Sequence, residues 1–304
     1  MSVIIGGTIA IDNVKTPEAE AKNLLGGSAS FASLAASYFA NQVNLVGIIG
    51  HDYPKEHLDM LESHGITLTG VERSESESFT WTGEYMENMN DRETHAVALN
   101  VLESWKVNIP SEIANSQMVV LANMSPENQL QMLEQCTAEN KFVIADTMDL
   151  WITIANEQLH EVLGKIDLLV LNESEARQFA DTPNLILAGE RLLEKGPKHV
   201  IIKLGEFGAV LFGPEGKMFR LHAWPLKHVA DPTGAGDSFL GGMAGYLSLL
   251  NQEDFTFADI CQAMARGSVV ASYTCEAFST RKLQEVTNKQ IEERLAALKE
   301  MSKW

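Results

Sequence analysis

In the stretch "DPTGAGDSFLGG" (231–242) an acid, Asp237, ends a run of the smallest residues and stands just before an apolar segment. Gly234, Ala235 and Gly236 carry little or no side chain, so their backbone N–H groups can approach a ligand closely. The run "SFLGGMAGYLSLL" continues as a helix, with Gly241 and Gly245 four residues apart on a face that allows close packing. Unpaired amides at a helix N-terminus form an anion site. With a phosphoryl group held there, the adjacent carboxylate could take the proton of an attacking hydroxyl. The same residue types also suit a plainer role, a first-turn acid favoured by the helix dipole. Two familiar nucleotide motifs do not fit. The nearest approach to G-x-x-x-x-G-K-[ST] is "GPEGKM" (213–218), which lacks both the spacing and the hydroxyl. A G-x-G-x-x-G fingerprint needs glycine where Phe239 stands, and it normally follows the first strand.

Three further stretches hold residues that could do chemistry. "LNESEA" (171–176) sets Asn172 and Glu175 at a helix start, either as a capping cluster or as oxygen donors. "IKLGEFGAVLF" (202–212) places Lys203 at a strand end, with Gly205 and Gly208 turning the chain tightly. Asp12 lies near the N-terminus, ahead of the glycine pair in "GGSAS" (26–30). None of the eight histidines has metal-ligand spacing. The three cysteines are far apart and lack any C-x-x-C pair, which predicts reduced thiols in a cytosolic protein and no zinc or disulfide framework.

The elements that must position these residues alternate between strand and helix. "SVIIGGT" opens as a strand. "SASFASLAASYFA" (28–40) reads as a helix with Ser28 as its N-cap, followed by the strand "VNLVGIIG" (43–50). "PKEHLDMLESHG" (54–65) carries proline at its start and glycine at its end, the usual punctuation of a helix. "QMVVLAN" (117–123), "KFVIADT" (141–147), "DLLVLN" (167–172) and "HVIIKLG" (199–205) are short apolar runs separated by helical segments. That pattern predicts a doubly wound α/β domain whose mostly parallel sheet is covered on both faces. One region breaks it: "SFTWTGEYMENMNDRETHAVALNV" (78–101) alternates polar and apolar residues around a polar turn, as an antiparallel hairpin does. With the extended segment from Ile9 to Leu25 it predicts a small β-strand lid on a single domain spanning 1–304, the lid segments falling near 9–25 and 68–104.

Composition narrows the function classes. At 304 residues, 45% of them hydrophobic and 21% charged, the chain reads as a soluble globular protein. A net charge of −18 argues against a broad nucleic-acid surface, so phosphate binding would rely on local backbone amides. No apolar run reaches the ~20 residues of a membrane span. The opening "MSVIIGGTIAID" lacks the basic start of a signal peptide, and a cytoplasmic location is expected.

Taken in order, these motifs resemble the ribokinase-like (PfkB) carbohydrate kinase family over essentially the whole chain. "DPTGAGDSFLGG" is similar to its long C-terminal signature, "GGSAS" to its GG motif, "LNESEA" to its N-x-x-E motif and "IKLGEFGAVLF" to its nucleotide-side LGxxG segment. The resemblance implies a kinase that moves phosphate from ATP, with Mg²⁺, to a hydroxyl of a small sugar or nucleoside, a sugar being the first expectation. A non-catalytic sugar- or nucleotide-binding regulator on the same fold is the rival, but a pure binder has no need of a base. The implied roles are Asp237 as base, the amides of Gly234, Ala235 and Gly236 as anion hole, and Asn172 and Glu175 as Mg²⁺ organisers through water. Lys203, Gly205, Gly208, Gly267 and Ala271 would border the nucleotide, and Asp231 would ligate a monovalent cation such as K⁺ near "TCEAFS" (274–279). Asp12, Gly26, Gly27 and Ser28 would bind the acceptor, the carboxylate by charge-assisted hydrogen bonds to hydroxyls.

The chain departs from the family pattern at Phe31, where many members carry an asparagine that contacts acceptor hydroxyls. Either Ser28 and Ser30 compensate, or the acceptor differs from a ribose-type sugar; Phe31 is alternatively a core residue of its helix. "MNDRE" (89–93) offers Asn90, Asp91 and Arg92 as lid contacts or as an ordinary polar hairpin tip. Open edge strands on the lid would suit a homodimer.

Overall fold

The computed structural model describes residues 1–303. Its strands are β1 (Val3–Gly6), β2 (Ala10–Lys15), β3 (Glu20–Gly26), β4 (Val43–Ile49), β5 (Ile66–Arg73), β6 (Phe79–Tyr85) and β7 (Arg92–Ala98). They continue with β8 (Met118–Leu121), β9 (Phe142–Asp146), β10 (Leu168–Asn172), β11 (His199–Lys203), β12 (Ala209–Phe212) and β13 (Met218–Leu221). The helices are α1 (Ser28–Ser37), α2 (Lys55–Ser63), α3 (Pro126–Gln135), α4 (Asp149–Ile154) and α5 (Asn156–Leu163). The remaining five are α6 (Glu173–Phe179), α7 (Leu185–Leu193), α8 (Ala235–Leu250), α9 (Phe257–Thr274) and α10 (Asn288–Met301).

Nine strands form one sheet in the order β13-β12-β11-β10-β9-β8-β1-β4-β5, parallel from β11 to β5 and antiparallel at the β12 and β13 edge. Its central strands are largely apolar because both faces are covered. Ile5, Leu45, Val120, Ile144 and Val170 point into one core, against residues of α1, α8 and α9. Their alternating neighbours Ile4, Val46, Val119, Val143 and Leu169 point into the other, with residues of α3, α5, α6 and α7. In such a sheet the functional crevice lies beyond the carboxyl ends of the strands. Here those ends carry Asp146, Asn172 and Lys203.

A second sheet, β3-β2-β6-β7, stands over that crevice as the lid, with β2 and β6 parallel and the other pairs antiparallel. Its boundary differs from the expected 68–104. Residues 66–73 pair with β4 and complete the main sheet, so the lid hairpin begins only at β6. Alternation along the strands divides the lid into two faces. Asp12 lies opposite Trp81, and Tyr85 opposite Arg92, on the crevice side. On the outer side Lys15 forms an ion pair with Glu84, and His95 Nε2 lies 3.0 Å from the same carboxylate.

Contacts from the main domain hold the lid down. Thr233 Oγ1 donates to the Tyr85 hydroxyl at 3.3 Å, and Ser279 Oγ donates to the Leu25 carbonyl. Beneath it, Val14, Leu24 and Tyr85 form a small apolar cluster with Met89, Trp81 and Phe278.

The start of α1 also differs from expectation. The cap is Gly27, at φ 90°, and Ser28 is already helical. The Ser28 hydroxyl instead donates to the Asn123 carbonyl at 3.0 Å and accepts from the Thr8 amide at 3.2 Å, joining the β1 and β8 loops. Helix α8 crosses α1 closely enough that a β-carbon on Gly241 would collide with the Ala32 carbonyl, and one on Gly245 with Ala36. These glycines seat the N-terminus of α8 at the floor of the crevice.

Candidate active site

The loop "DPTGAGD" enters the crevice with Asp231 fully buried. Asp231 accepts the amides of Thr233 and Ser279 on its two oxygens, at 2.9 and 3.0 Å, and so ties this loop to the one after α9. Gly234 then caps α8 in the left-handed conformation, φ 75°, which a non-glycine residue adopts only under strain. Of the three amides expected to hold an anion, that of Ala235 donates to the Pro232 carbonyl at 3.1 Å. Those of Gly234 and Gly236 have no acceptor among the described residues and remain available to an anion. Asp237 follows in the first turn, half-buried. Its removal from bulk water pushes its pKa up to about 6, and the Asp146 carboxylate adds to the rise, while the charges of Lys203 and Arg92 oppose it.

Behind Asp237 lies a buried charge cluster that the sequence reading found only in part. Lys203 Nζ is 3.2 Å from Asp146 Oδ2, and the Asp146 Oδ1 accepts the Thr147 amide at 2.8 Å. Asp146 was not singled out. Its only signal is an acid at the carboxyl end of an otherwise apolar parallel strand. Burial draws the Lys203 pKa down, but the carboxylates of Asp146, Glu175 and Asp237 outweigh it and hold the lysine charged. For Asp146, burial outweighs the lysine and raises its pKa. Lys203 Nζ also lies beside Gly236, 3.1 Å from where a β-carbon there would sit.

Asn172 and Glu175 form a reciprocal capping box at the start of α6: Asn172 Oδ1 accepts the Glu175 amide at 2.9 Å, and Glu175 Oε2 accepts the Asn172 amide at 2.8 Å. The capping and donor readings of "NESEA" are therefore compatible, since Glu175 Oε1 keeps no hydrogen bond among the described residues. Burial lifts the Glu175 pKa to about 7, and the Asp146 charge lifts it further than Lys203 lowers it. Three carboxyl groups surround one ammonium here, but among the described residues no three acids converge as a direct metal cage, so these oxygens fit Mg²⁺ only as partners of its bound waters.

A cavity of about 390 Å³ opens beside Gly236 between α8, α9 and the β11–β12 turn. Lys203, Gly205, Gly208 and Ala271 line it, together with Trp224, Leu226 and Phe239. Gly267 does not: its α-carbon packs against α8, where a β-carbon would strike the Phe239 carbonyl. The β6–β7 turn reaches the same cavity through Asn88, Met89 and Asn90. On the acceptor side, Asp12 is 4% exposed and its Oδ1 has no hydrogen-bond partner. Burial, and then the charges of Asp231 and Asp237, push its pKa up to about 8. Gly26 is required there, since a β-carbon would overlap the Asp12 carboxyl group. Phe31 is 1% exposed and its ring packs against Gly234, in the loop before α8.

A sequence profile described as the pfkB family of carbohydrate kinases matches residues 6–287. The chain belongs to that family. As a pfkB kinase it is 28% identical over 257 residues to a cytidine kinase of Thermococcus kodakarensis, covering 81% of this chain and 88% of that protein. Its fold superposes on a ribokinase of Giardia lamblia with a TM-score of 0.81, at 18% identity and 99% coverage of both chains. A nucleoside kinase of Methanocaldococcus jannaschii gives a TM-score of 0.77 at 19% identity, covering 97% of this chain and 98% of that one. The ribokinase-like sheet, its flanking helices and the phosphotransferase class follow from these likenesses. Among the described residues no helix is long and apolar enough to cross a membrane.

Proposed function

We propose that this pfkB kinase transfers the γ-phosphoryl group of ATP to a ribose hydroxyl of a nucleoside, with Asp237 as general base. The observation that carries the chemistry is the conjunction at the start of α8: two free glycine amides beside a carboxyl group raised to about 6. The acceptor oxygen attacks Pγ, the bond from Pγ to the bridging oxygen breaks, ADP leaves, and Asp237 takes the hydroxyl proton. A base with a pKa just below neutrality is mostly ionised at pH 7 yet basic enough to accept a proton. The amides of Gly234 and Gly236 stabilise charge on the transferred group without reorganising. Glu175, with Asp146 behind it, would hold Mg²⁺ through water, and the ion would neutralise charge on the nucleotide phosphates. The lid excludes water from the crevice and so limits loss of phosphate to hydrolysis.

The nucleoside is preferred over the free sugar first expected because of what stands next to Asp12. Trp81 is its partner across β2 and β6, and Val97, 51% exposed, is the partner of Trp81 across β6 and β7. A carboxyl group that binds ribose hydroxyls, continuous with an aromatic ring and an uncovered apolar side chain, suits a planar base beyond the sugar. The cytidine kinase relative agrees with this choice.

The test is a phosphorylation screen of adenosine, cytidine, inosine, ribose and fructose, reading ADP release. Turnover on at least one nucleoside is expected, with kcat/KM about a hundredfold above the free sugars, the upper part of the range that one base stacked on an aromatic ring contributes. Turnover on free sugars alone would overturn the nucleoside assignment.

A further inference from the structure

The walls of the cavity beside Gly236 are of two kinds. Gly236 and Lys203 offer a backbone amide and a cation, which suit phosphate. Trp224 and Leu226, from the segment after β13, and Ala271, from α9, offer apolar surface instead. A nucleotide with its phosphates on the first wall lays its base against the second. Ser272 also lines the cavity, but its hydroxyl is already engaged. It donates to the Val269 carbonyl at 2.6 Å and accepts from Arg294 Nη1 at 2.8 Å.

Arg294, on α10, stands behind that apolar wall. Its guanidinium lies over two rings, 5.2 Å from the centroid of Trp224 and 3.5 Å from that of Tyr273. Nη2 is 2.7 Å from Glu276 Oε1, and the side chain is only 14% exposed. One residue thus joins three segments that border the cavity: the stretch after β13 through Trp224, α9 through Ser272, and the following loop through Glu276. That loop is the one held by Asp231, through the Ser279 amide. The charge of Arg294 is matched by Glu276, so it is no spare cation for phosphate. A planar guanidinium can stack on rings while donating hydrogen bonds in its own plane, which an ammonium cannot do.

We propose that Trp224 is the stacking wall for the base of the donor nucleotide, and that Arg294 is the positioning residue that holds its ring in place. The C-terminal helix then contributes to the nucleotide site without touching the ligand. The proposal rests on the reading of this cavity as the ATP site but not on the identity of the acceptor.

The test uses two ligands that share a pair of phosphates and differ in the base. Calorimetry with Mg²⁺ and either ADP or inorganic pyrophosphate needs no acceptor. Wild type should bind ADP more tightly than pyrophosphate. Trp224→Ala should weaken ADP about tenfold or more, the order that one base stacked on an aromatic ring contributes. Arg294→Ala should weaken ADP about fivefold, the order of one cation–π contact. Neither change should alter pyrophosphate affinity appreciably. Arg294→Lys keeps the charge without the planar stack and should fall between wild type and Arg294→Ala. Because Arg294 acts through Trp224, adding Arg294→Ala to Trp224→Ala should weaken ADP little further. In turnover the KM for ATP should rise by the same factors while kcat stays near the wild-type value.

Equal losses of ADP and pyrophosphate affinity in either alanine variant would overturn the proposal, since a general loosening of the fold has that effect. Unchanged ADP affinity in Trp224→Ala, or full additivity of the two changes, would do so too. Should Arg294→Ala not fold, Arg294→Lys decides, and wild-type ADP affinity there would remove the role of Arg294. If wild type turns over ATP but binds ADP no better than pyrophosphate, the kinase reading stands and only the base site falls.

Discussion

Replacing Asp12 by Asn should shift the stability relative to wild type upward as the pH rises. The folded-state pKa of Asp12 is about 8 against an ordinary value of 3.8. A carboxyl group with a raised folded pKa stabilises the native state below its unfolded pKa, and that contribution is lost as the pH climbs through the folded value. Between the two values the unfolded chain has released a proton that the folded chain still holds, so unfolding gains about 1.4 kcal/mol per pH unit. Relative to full protonation the loss is about 2 kcal/mol at pH 5 and about 4 kcal/mol at pH 7.

Asn does not titrate and escapes this loss, although its buried amide leaves donors unpaired at a cost of about 1–3 kcal/mol that does not vary with pH. The diagnostic is therefore the pH dependence: the stability of Asp12→Asn relative to wild type should improve by about 2–3 kcal/mol between pH 5 and pH 7. Urea unfolding of both proteins at pH 5, 6 and 7, in the absence of nucleotide and acceptor, measures it. A difference that stays flat with pH, or that shrinks, would refute the assignment of Asp12 as a carboxyl group kept mostly protonated by burial. The same variant should lose acceptor binding, since the amide nitrogen cannot accept a hydroxyl as the carboxyl oxygen does.

Other perturbations address the rest of the site. Asp146→Asn removes the nearby negative charge that raises Asp237 and leaves Lys203 free to lower it, so the acid limb of kcat/KM should move from about pH 6 to lower pH; an upward shift would refute the coupling. The same change breaks a buried ion pair and should destabilise the protein by about 3–5 kcal/mol, read by denaturant titration. Gly241→Ala drives a methyl group into the Ala32 carbonyl and should destabilise by about 1–3 kcal/mol; a neutral effect would show that α8 can withdraw from α1. Phe31→Ala empties the space beneath Gly234 and should destabilise by about 3–5 kcal/mol, with kcat falling more than the acceptor KM rises. A change confined to the acceptor KM would return Phe31 to the acceptor site.

The parts of the site legible in the sequence are those written in backbone requirements. A left-handed cap at Gly234, a tight turn through Gly205 and Gly208, and a capping box at Asn172 and Glu175 each demand particular residue types at fixed short spacing. The parts that were not legible depend on registers and crossings between distant segments. Asp146 acquires its role from Lys203, 57 residues away, and no local spacing announces that pair. Which face of the lid Arg92 occupies depends on a β-bulge between Thr82 and Gly83, which resets the alternation along β7. Residues 66–73 joined the main sheet because their partner is β4, a choice that alternation alone does not make. Phe31 could be read as an acceptor-site residue or as a core residue of its helix, and only the folded chain shows its buried ring packed on Gly234, 203 residues away.

The most direct measurement is steady-state and binding analysis of Asp237→Asn with the best acceptor found in the screen. Turnover should fall by about 10³, within the range a positioned general base contributes. Affinity for ADP with Mg²⁺ should stay within about threefold, because the glycine amides and the cavity walls are unchanged. Near-normal turnover, or loss of nucleotide binding and turnover together, would contradict the assignment of Asp237 as the base.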